Sequence, residues 1–287
     1  MNIALFADVH GRILLAFKIV ERYQRETGEH IDLILQCGDA GVFPDVSRLD
    51  KATRRIAALD GTELGFAEFF TEPRAEAEAV LDSLSCSMIF VRGNHEDHEY
   101  LDGLERLGDS AVFPVDCYQR LWCMKTGVIH RVKTADAQLS LLGIGRIGSP
   151  DTEVEPYQDK YIQHREQECL RQVAGEPFDI LLTHDGCRGL IRPGLGMQEI
   201  GMILERHTPA YHFFGHTGRP FERRIDANGS TISVKLSDFE WEETDRGGRL
   251  KDGCLGILRW HESTNHHFHV VAAPWLKEYT PHTWRYL

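Results

Sequence analysis

Five short apolar runs, each ending in a tight turn that carries imidazole, carboxylate or amide groups, constrain this chain more than any other feature. Ile3-Ala4-Leu5-Phe6-Ala7 leads into Asp8-Val9-His10-Gly11, and Ile31-Asp32-Leu33-Ile34-Leu35-Gln36 into Gly38-Asp39. Met88-Ile89-Phe90-Val91-Arg92 precedes Gly93-Asn94-His95-Glu96, while Phe178-Asp179-Ile180-Leu181-Leu182-Thr183 precedes His184. Tyr211-His212-Phe213-Phe214 runs into Gly215-His216-Thr217-Gly218. Between the first two runs, Ile13, Leu14, Phe17 and Val20 have helical spacing, and Gly28 ends the segment. Continuous apolar runs separated by a helix predict parallel strands buried on both faces. Open α/β sheets take their ligands at the carboxyl ends of such strands, which is where these polar residues fall.

The rest of the chain fills in around that frame. Residues 47–85 are rich in Ala, Glu, Arg and Leu and read as helical, with a helix start at Glu72-Pro73. Strands are predicted at 111–115, 128–133 and 139–144, then a polar loop at 148–157, a charged helix over 158–174 and another helix near 197–206. After 220 the pattern changes to hairpins. Asn228-Gly229 between 221–226 and 231–236 is a type I′ turn signal, and strands follow near 254–260 and 267–272. No internal repeat or low-complexity tract interrupts the pattern.

Lys plus Arg number 32 against 44 Asp plus Glu, a net charge of −12. Binders of the nucleic-acid backbone usually carry the opposite sign, so stable DNA binding is not expected. Anionic substrates stay open, because bound metal ions can invert the local field inside an acidic protein. The seven cysteines (37, 86, 117, 123, 169, 187 and 254) are scattered and include no C-x-x-C pair. That is neither a disulfide framework nor a thiolate zinc site, and it suits a reducing compartment. Met1–Ala7 has no basic flank and too short an apolar run for a secretory leader. No stretch approaches the roughly 18–20 apolar residues of a membrane span. The expectation is a cytoplasmic protein without membrane attachment.

Imidazole with carboxylate suits Mn²⁺, Fe or Zn²⁺ and disfavours iron–sulfur or copper–thiolate chemistry. Several such ligands converging would hold a metal pair, of the kind two-metal hydrolases keep roughly 3.5–4 Å apart. Each motif alone has a plainer reading: Asp8 and Asn94 could cap helices, and His184 and His216 could be polar strand ends. All five in this order and setting are a much stronger signal. D-x-H, G-D, G-N-H-E, a strand-terminal His and G-H-x-x resemble the calcineurin-like metallophosphoesterase superfamily. The resemblance runs from residue 8 to 218. It implies an α/β fold in which a two-sheet β-sandwich is flanked by helices, four layers in the order α/β/β/α. Residues 1–287 would then form one domain, with a helical insertion at about 45–86 and C-terminal hairpins at about 220–275 that suit the second sheet.

The resemblance also implies hydrolysis of a phosphate mono- or diester by a metal-bound hydroxide, with one or two divalent ions per chain. Mn²⁺ is the first expectation, with Fe and Zn²⁺ open. Asp8 and His10 would bind the first metal, Asp39 would bridge both, and Asn94, His184 and His216 would complete the second. His95 matches the general acid that protonates the departing alkoxide. The substrate would be a phosphorylated small molecule or nucleotide-type compound.

Two departures bear on that picture. The family usually reads G-H-x-H at the last motif, with the second His on the first metal; here that place is Gly218. The first site is therefore expected to bind metal weakly. Gly38-Asp39-Ala40-Gly41-Val42-Phe43 also lacks the G-D-x-x-D-R-G extension of the protein Ser/Thr phosphatases and its phosphate-clamping arginine. Arg12, Arg92 and Arg219 each adjoin a motif and are the replacement substrate-binding residues, with nothing to select between them. The alternative to an enzyme is a scaffold of this fold that binds a partner protein; Gly218 favours it, and the intact Asp39, Asn94, His95, His184 and His216 favour hydrolysis. The 45–86 insertion is either a packed helical addition or a lid over the metal mouth. His261, His266, His267 and His269 read as a solvated strand face, and Cys187 as an inert small residue.

Overall fold

The computed structural model describes residues 1–149, 158–173, 175–243 and 248–287. Two large sheets pack face to face between helical layers. In the first, Asn2–Phe6, Leu33–Gln36, Met88–Phe90 and Leu121–Met124 run parallel, with Val112–Pro114 antiparallel at one edge. In the second, Ile232–Lys235, Tyr211–Phe214, Ile180–Thr183 and Gln138–Ile144 are parallel, and Glu222–Ile225 and Ile129–Lys133 close the two edges antiparallel.

Strand periodicity divides the apolar side chains among three cores. Ile3, Leu5 and Ala7 face between the sheets, where they meet Leu141, Ile180, Leu182 and Phe213. The alternate residues Ala4 and Phe6 face the outer core beneath the helix Ile13–Thr27. On the far side, Leu142, Ile144 and Leu181 pack against Ile200, Ile203 and Leu204 of the helix Gln198–Arg206. A strand buried on both faces has no polar alternation, which is why the runs are largely apolar. Among the described residues no helix is long and apolar enough to cross a membrane. The seven cysteines are free thiols.

Several local expectations change. The hairpin Glu222–Ile225 and Ile232–Lys235 joins the second sheet as expected. The strands Gly256–Glu262 and Asn265–Val270 instead extend the first sheet beside Asn2–Phe6. Asn228 does not adopt the positive φ that a type I′ turn demands; only Gly229 does, at 79°. The Asn228 side chain instead bonds the N–H groups of Ser230 and Thr231 and the Leu204 carbonyl, which fixes a longer loop. The charged helix is shorter than its pattern, His164–Gln172, because Gln163 and Glu166 form a reciprocal capping box at its start. Residues 150–157, most of the expected polar loop, and residue 174 lie outside the described residues. Leu121–Met124 is a further parallel strand of the first sheet that the reading of the sequence does not single out. The 45–86 stretch is helical, with α-helices at Lys51–Ala57, Gly65–Phe69 and Ala75–Asp82.

The loops at the carboxyl ends of the first sheet are tied together by backbone hydrogen bonds. Asp8 N–H donates to Gly38 O (3.1 Å), His10 N–H to Asp39 O (2.8 Å) and Gly11 N–H to Ala40 O (2.9 Å). Glu96, buried, adds the third loop. Its carboxyl accepts from the N–H groups of Ala40 (2.8 Å), Val42 (2.7 Å) and Gly93 (3.3 Å). Burial, followed by the charge of Asp39, pushes the Glu96 carboxyl up to about 7. Glu96→Ala strands three buried donors, each costing about 1–3 kcal/mol when unsatisfied. We expect a net loss of about 3 kcal/mol in denaturant unfolding of the metal-free protein, against less than about 0.5 kcal/mol for an exposed position; an unchanged midpoint would contradict this account of the loops.

Candidate metal centre

The motif residues occupy conformations that ordinary residues avoid. Asp8, His10, Asp39 and His216 have φ of 51°, 44°, 54° and 66°, in the left-handed region sparsely used by residues other than glycine. Such strain persists where surrounding structure holds it, and it gathers at functional sites. The glycines of the motifs are required by close approach. A Cβ on Gly93 would lie 2.0 Å from Asp39 Oδ1, and one on Gly215 would lie 2.1 Å from Asp8 Oδ2. Each carboxylate occupies the space that a side chain in the neighbouring motif would need.

The structure brings together the candidate ligands from both sheets. Two groups of potential ligands arise, Asp8–His10–Asp39 and Asp39–His184–His216, with the ligand atoms of each group within 4.8 Å of one another. Asp39 belongs to both. Its Oδ2 lies 3.8 Å from His10 Nε2, and its Oδ1 lies 3.4 Å from His184 Nε2. The His95 N–H donates to Asp39 Oδ1 (2.7 Å), and the His216 N–H donates to the Asp8 carboxylate (3.0 Å to Oδ2). His184 Nδ1 donates to the Cys37 carbonyl (3.0 Å), which orients Nε2 toward Asn94 Oδ1 at 3.0 Å. That outer hydrogen bond fixes the ring as such contacts do for metal-binding histidines.

The electrostatics match a cation site. Burial pushes the Asp8 carboxyl up to about 8, against the opposing pull of His184. For Asp39 burial acts in the same sense, but His184 and His10 outweigh it and hold its carboxyl well below the usual range. His184 shows the counterpart: burial disfavours its charge, yet Asp39 and then Asp8 push it up to about 10. A proton on His184 neutralises buried carboxylate charge, and a divalent cation would displace it on binding. His216 is pushed down to about 4, by burial and then by His184, and burial lowers His10. Two buried carboxylates with neutral imidazoles and an amide oxygen form a donor set that fits Mn²⁺, Fe or Zn²⁺.

His95 sits at the rim, its ring 5.6 Å from that of His10. Its Nδ1 lies 2.9 Å from Asp50 Oδ2. Asp50 also caps the helix Lys51–Ala57, accepting from Ala52 N–H and Thr53 N–H. Burial would depress the His95 ring, but the Asp50 hydrogen bond and the Asp39 charge raise it to about 9. Asp50 is the residue that sequence reasoning missed. Its signal was an N-cap pattern ahead of a helical segment, and nothing along the chain tied that cap to His95.

The three arginines part company. Arg12 is buried against Asp60 (2.6 Å) and Glu63 (3.1 Å). Arg92 is buried between Asp102 (2.6 Å) and Glu105. Arg219 lines a cavity of about 400 Å³ beside His216, together with Tyr161, Asp185, Arg192 and Thr217. Cys187 belongs to a further group with His212 and Asp226. There both His212 nitrogens already lie at hydrogen-bond distance from hydroxyls, Thr183 Oγ1 (2.9 Å) and Ser233 Oγ (3.2 Å). His266 packs on Trp260 and meets the Tyr211 hydroxyl at 3.0 Å, so the C-terminal histidines do not all share one solvated face.

The model of the calcineurin-like phosphoesterase family matches residues 1–220. The chain belongs to that family. A lariat debranching enzyme of Drosophila melanogaster is 26% identical over an alignment of 267 residues, which takes in 84% of this chain and 46% of that enzyme. This chain thus spans about half the length of that relative. Among solved structures, TT1561 of Thermus thermophilus aligns with a TM-score of 0.48 at 17% identity, over 83% of this chain and 89% of that one. A conserved uncharacterized protein of Streptococcus pneumoniae TIGR4, described as a predicted phosphoesterase, aligns with a TM-score of 0.29 at 8% identity, over 90% and 81%.

Removing the negative charge of Asp50 beside the His95 ring should return its pKa toward the ordinary value. In the metal-free protein, NMR titration of the His95 ring is expected to give a pKa near 9, falling by at least about one unit in Asp50→Asn. An unmoved titration would show that Asp50 does not hold the ring.

Proposed function

We propose that this phosphoesterase hydrolyses a phosphate mono- or diester with the help of divalent cations held by Asp8, His10 and Asp39 on one side and by Asp39, Asn94, His184 and His216 on the other. The observation that carries this reading is the place of Asp39: one carboxylate shared by two ligand groups, the second of which adds His184 and His216 from the other sheet. When bound, the cations supply charge to a phosphoryl oxygen and lower the pKa of a water molecule, which can fall from 15.7 to roughly 7. Mn²⁺ suits the carboxylate-rich side, with Fe and Zn²⁺ as the other compatible ions.

The remaining steps belong to this chain's side chains. Asp50 accepts the Nδ1 proton of His95 and leaves Nε2 to hold the proton that the departing alkoxide takes up. The raised affinity of that ring for protons keeps it charged at neutral pH in the metal-free protein, the state that a general acid needs. Arg219, Arg192 and Tyr161, lining the cavity beside His216, provide cationic and aromatic surface for a phosphorylated small molecule or nucleotide-type substrate. An acid held by a carboxylate supports turnover over the scaffold reading, in which the contact between the His95 ring and Asp50 would have no task.

The test uses chelated protein reloaded with Mn²⁺, Zn²⁺, Fe²⁺ or Ni²⁺ and assayed on an aryl phosphate monoester and a bis-aryl phosphodiester. Activity should appear only on reloading. His95→Asn should then lower kcat about 10²–10⁴-fold on an alkyl ester, the usual range for general acid catalysis, and far less when nitrophenolate leaves without a proton. Full activity in chelated protein, or an equal loss on both leaving groups, would contradict the assignment.

A further inference from the structure

The replacement of an imidazole by Gly218 makes the first metal group look one ligand short. Gly218 has φ +63°, and a Cβ there would meet only Asp238 Oδ2, at 4.0 Å. The space beside His10 is instead approached from the segment that follows the strand Ile232–Lys235. Phe239 anchors that segment: its N–H donates to the Ala7 carbonyl (2.9 Å), and its buried ring meets Phe6 edge-on at 5.0 Å. This contact sets the next residue, Glu240, against the metal loop. Glu240 Oε1 lies 3.8 Å from His10 Nε2, the same separation that Asp39 Oδ2 keeps from that nitrogen.

The two acids of this segment are not equivalent. Asp238 has both oxygens engaged, Oδ1 with Lys235 Nζ (3.2 Å) and Oδ2 with Lys251 Nζ (3.1 Å). Glu240 gives only Oε2 to Lys251 (2.8 Å), which holds the carboxylate and turns Oε1 toward His10. Resting on the metal-dependent reading above, we propose that Glu240 is the fourth protein ligand of the first metal and takes over, from a different loop, the duty that a histidine at position 218 would perform. The first site then offers three carboxylates and one imidazole. That set is harder than the second site and selects Mn²⁺ or Mg²⁺ over Zn²⁺. It also replaces the expectation of a weak first site with that of a filled one.

The test counts metal rather than turnover. The protein is stripped with chelator, titrated with Mn²⁺ by calorimetry and analysed for elemental content after dialysis. The untouched protein is expected to hold two Mn²⁺ per chain. Glu240→Gln should hold one, with the affinity of the other site weakened at least about tenfold, the lower end of what even an outer-sphere partner is worth. Glu240→Gln combined with Gly218→His should regain the second ion. Glu240→Asp keeps the charge but draws the oxygen back by one methylene, and should weaken the same site in a chain whose net charge is unaltered. Two tightly held ions in Glu240→Gln would overturn the proposal, as would a loss produced by Asp238→Asn and not by Glu240→Gln. A single ion in the untouched protein would also overturn it. Failure of the untouched protein to bind any Mn²⁺, Zn²⁺ or Fe²⁺ would instead remove the metal-dependent reading itself, and Glu240 with it.

Discussion

The carboxylate of Asp39 is the interaction on which the head of the molecule depends. It sits buried between imidazoles presented by two separate sheets, and the His95 backbone N–H donates to it. A carboxylate removed from water is costly unless it is paired and hydrogen-bonded. Here the cost is offset only when both sheets are in place, since His10 comes from the first and His184 from the second. The centre is therefore also a clamp between the two layers. Glycine at positions 93 and 215, the left-handed backbone of Asp8, Asp39 and His216, and the three hydrogen bonds to Glu96 all serve to bring the carboxylates within reach of their imidazoles.

The same constraint bears on how an acidic chain would accept the anionic substrate proposed above. A net charge of −12 would repel phosphate at long range. Screening limits that repulsion to roughly a Debye length, about 8 Å at physiological salt. Inside the mouth the field is set by the ligand cluster, where the cations it suits would reverse the sign. Arg219 and Arg192 line the adjoining cavity on one side, and His95 stands at the rim on the other.

Much of this was legible along the chain because the motifs are local. Five apolar runs announced strands buried on both faces, and the polar residues just past their ends announced a site at the carboxyl edges of parallel sheets. Asp8, His10, Asp39, Asn94, His95, His184 and His216 could all be singled out in that way. What was not legible depends on long-range pairing. Asp50 reads as a helix cap and gains its second task only because the segment that it opens folds back beside His95. Glu240 lies far along the chain from His10 and carries no motif. Arg12 and Arg92 adjoin motifs in sequence, yet their guanidinium groups turn into ion pairs with Asp60, Glu63, Asp102 and Glu105. The hairpin 256–270 could pair with either sheet by its pattern alone. Its place beside Asn2–Phe6 is set by tertiary packing, including Leu258 and Trp260 in the core between the sheets.

The most direct test of the central role of Asp39 is anomalous diffraction from crystals grown with Mn²⁺. The account predicts two peaks, one on each side of the Asp39 carboxylate, separated by roughly 3.5–4 Å as in two-metal hydrolases. No peak within bonding distance of Asp39, or one ion bound without it, would contradict the account.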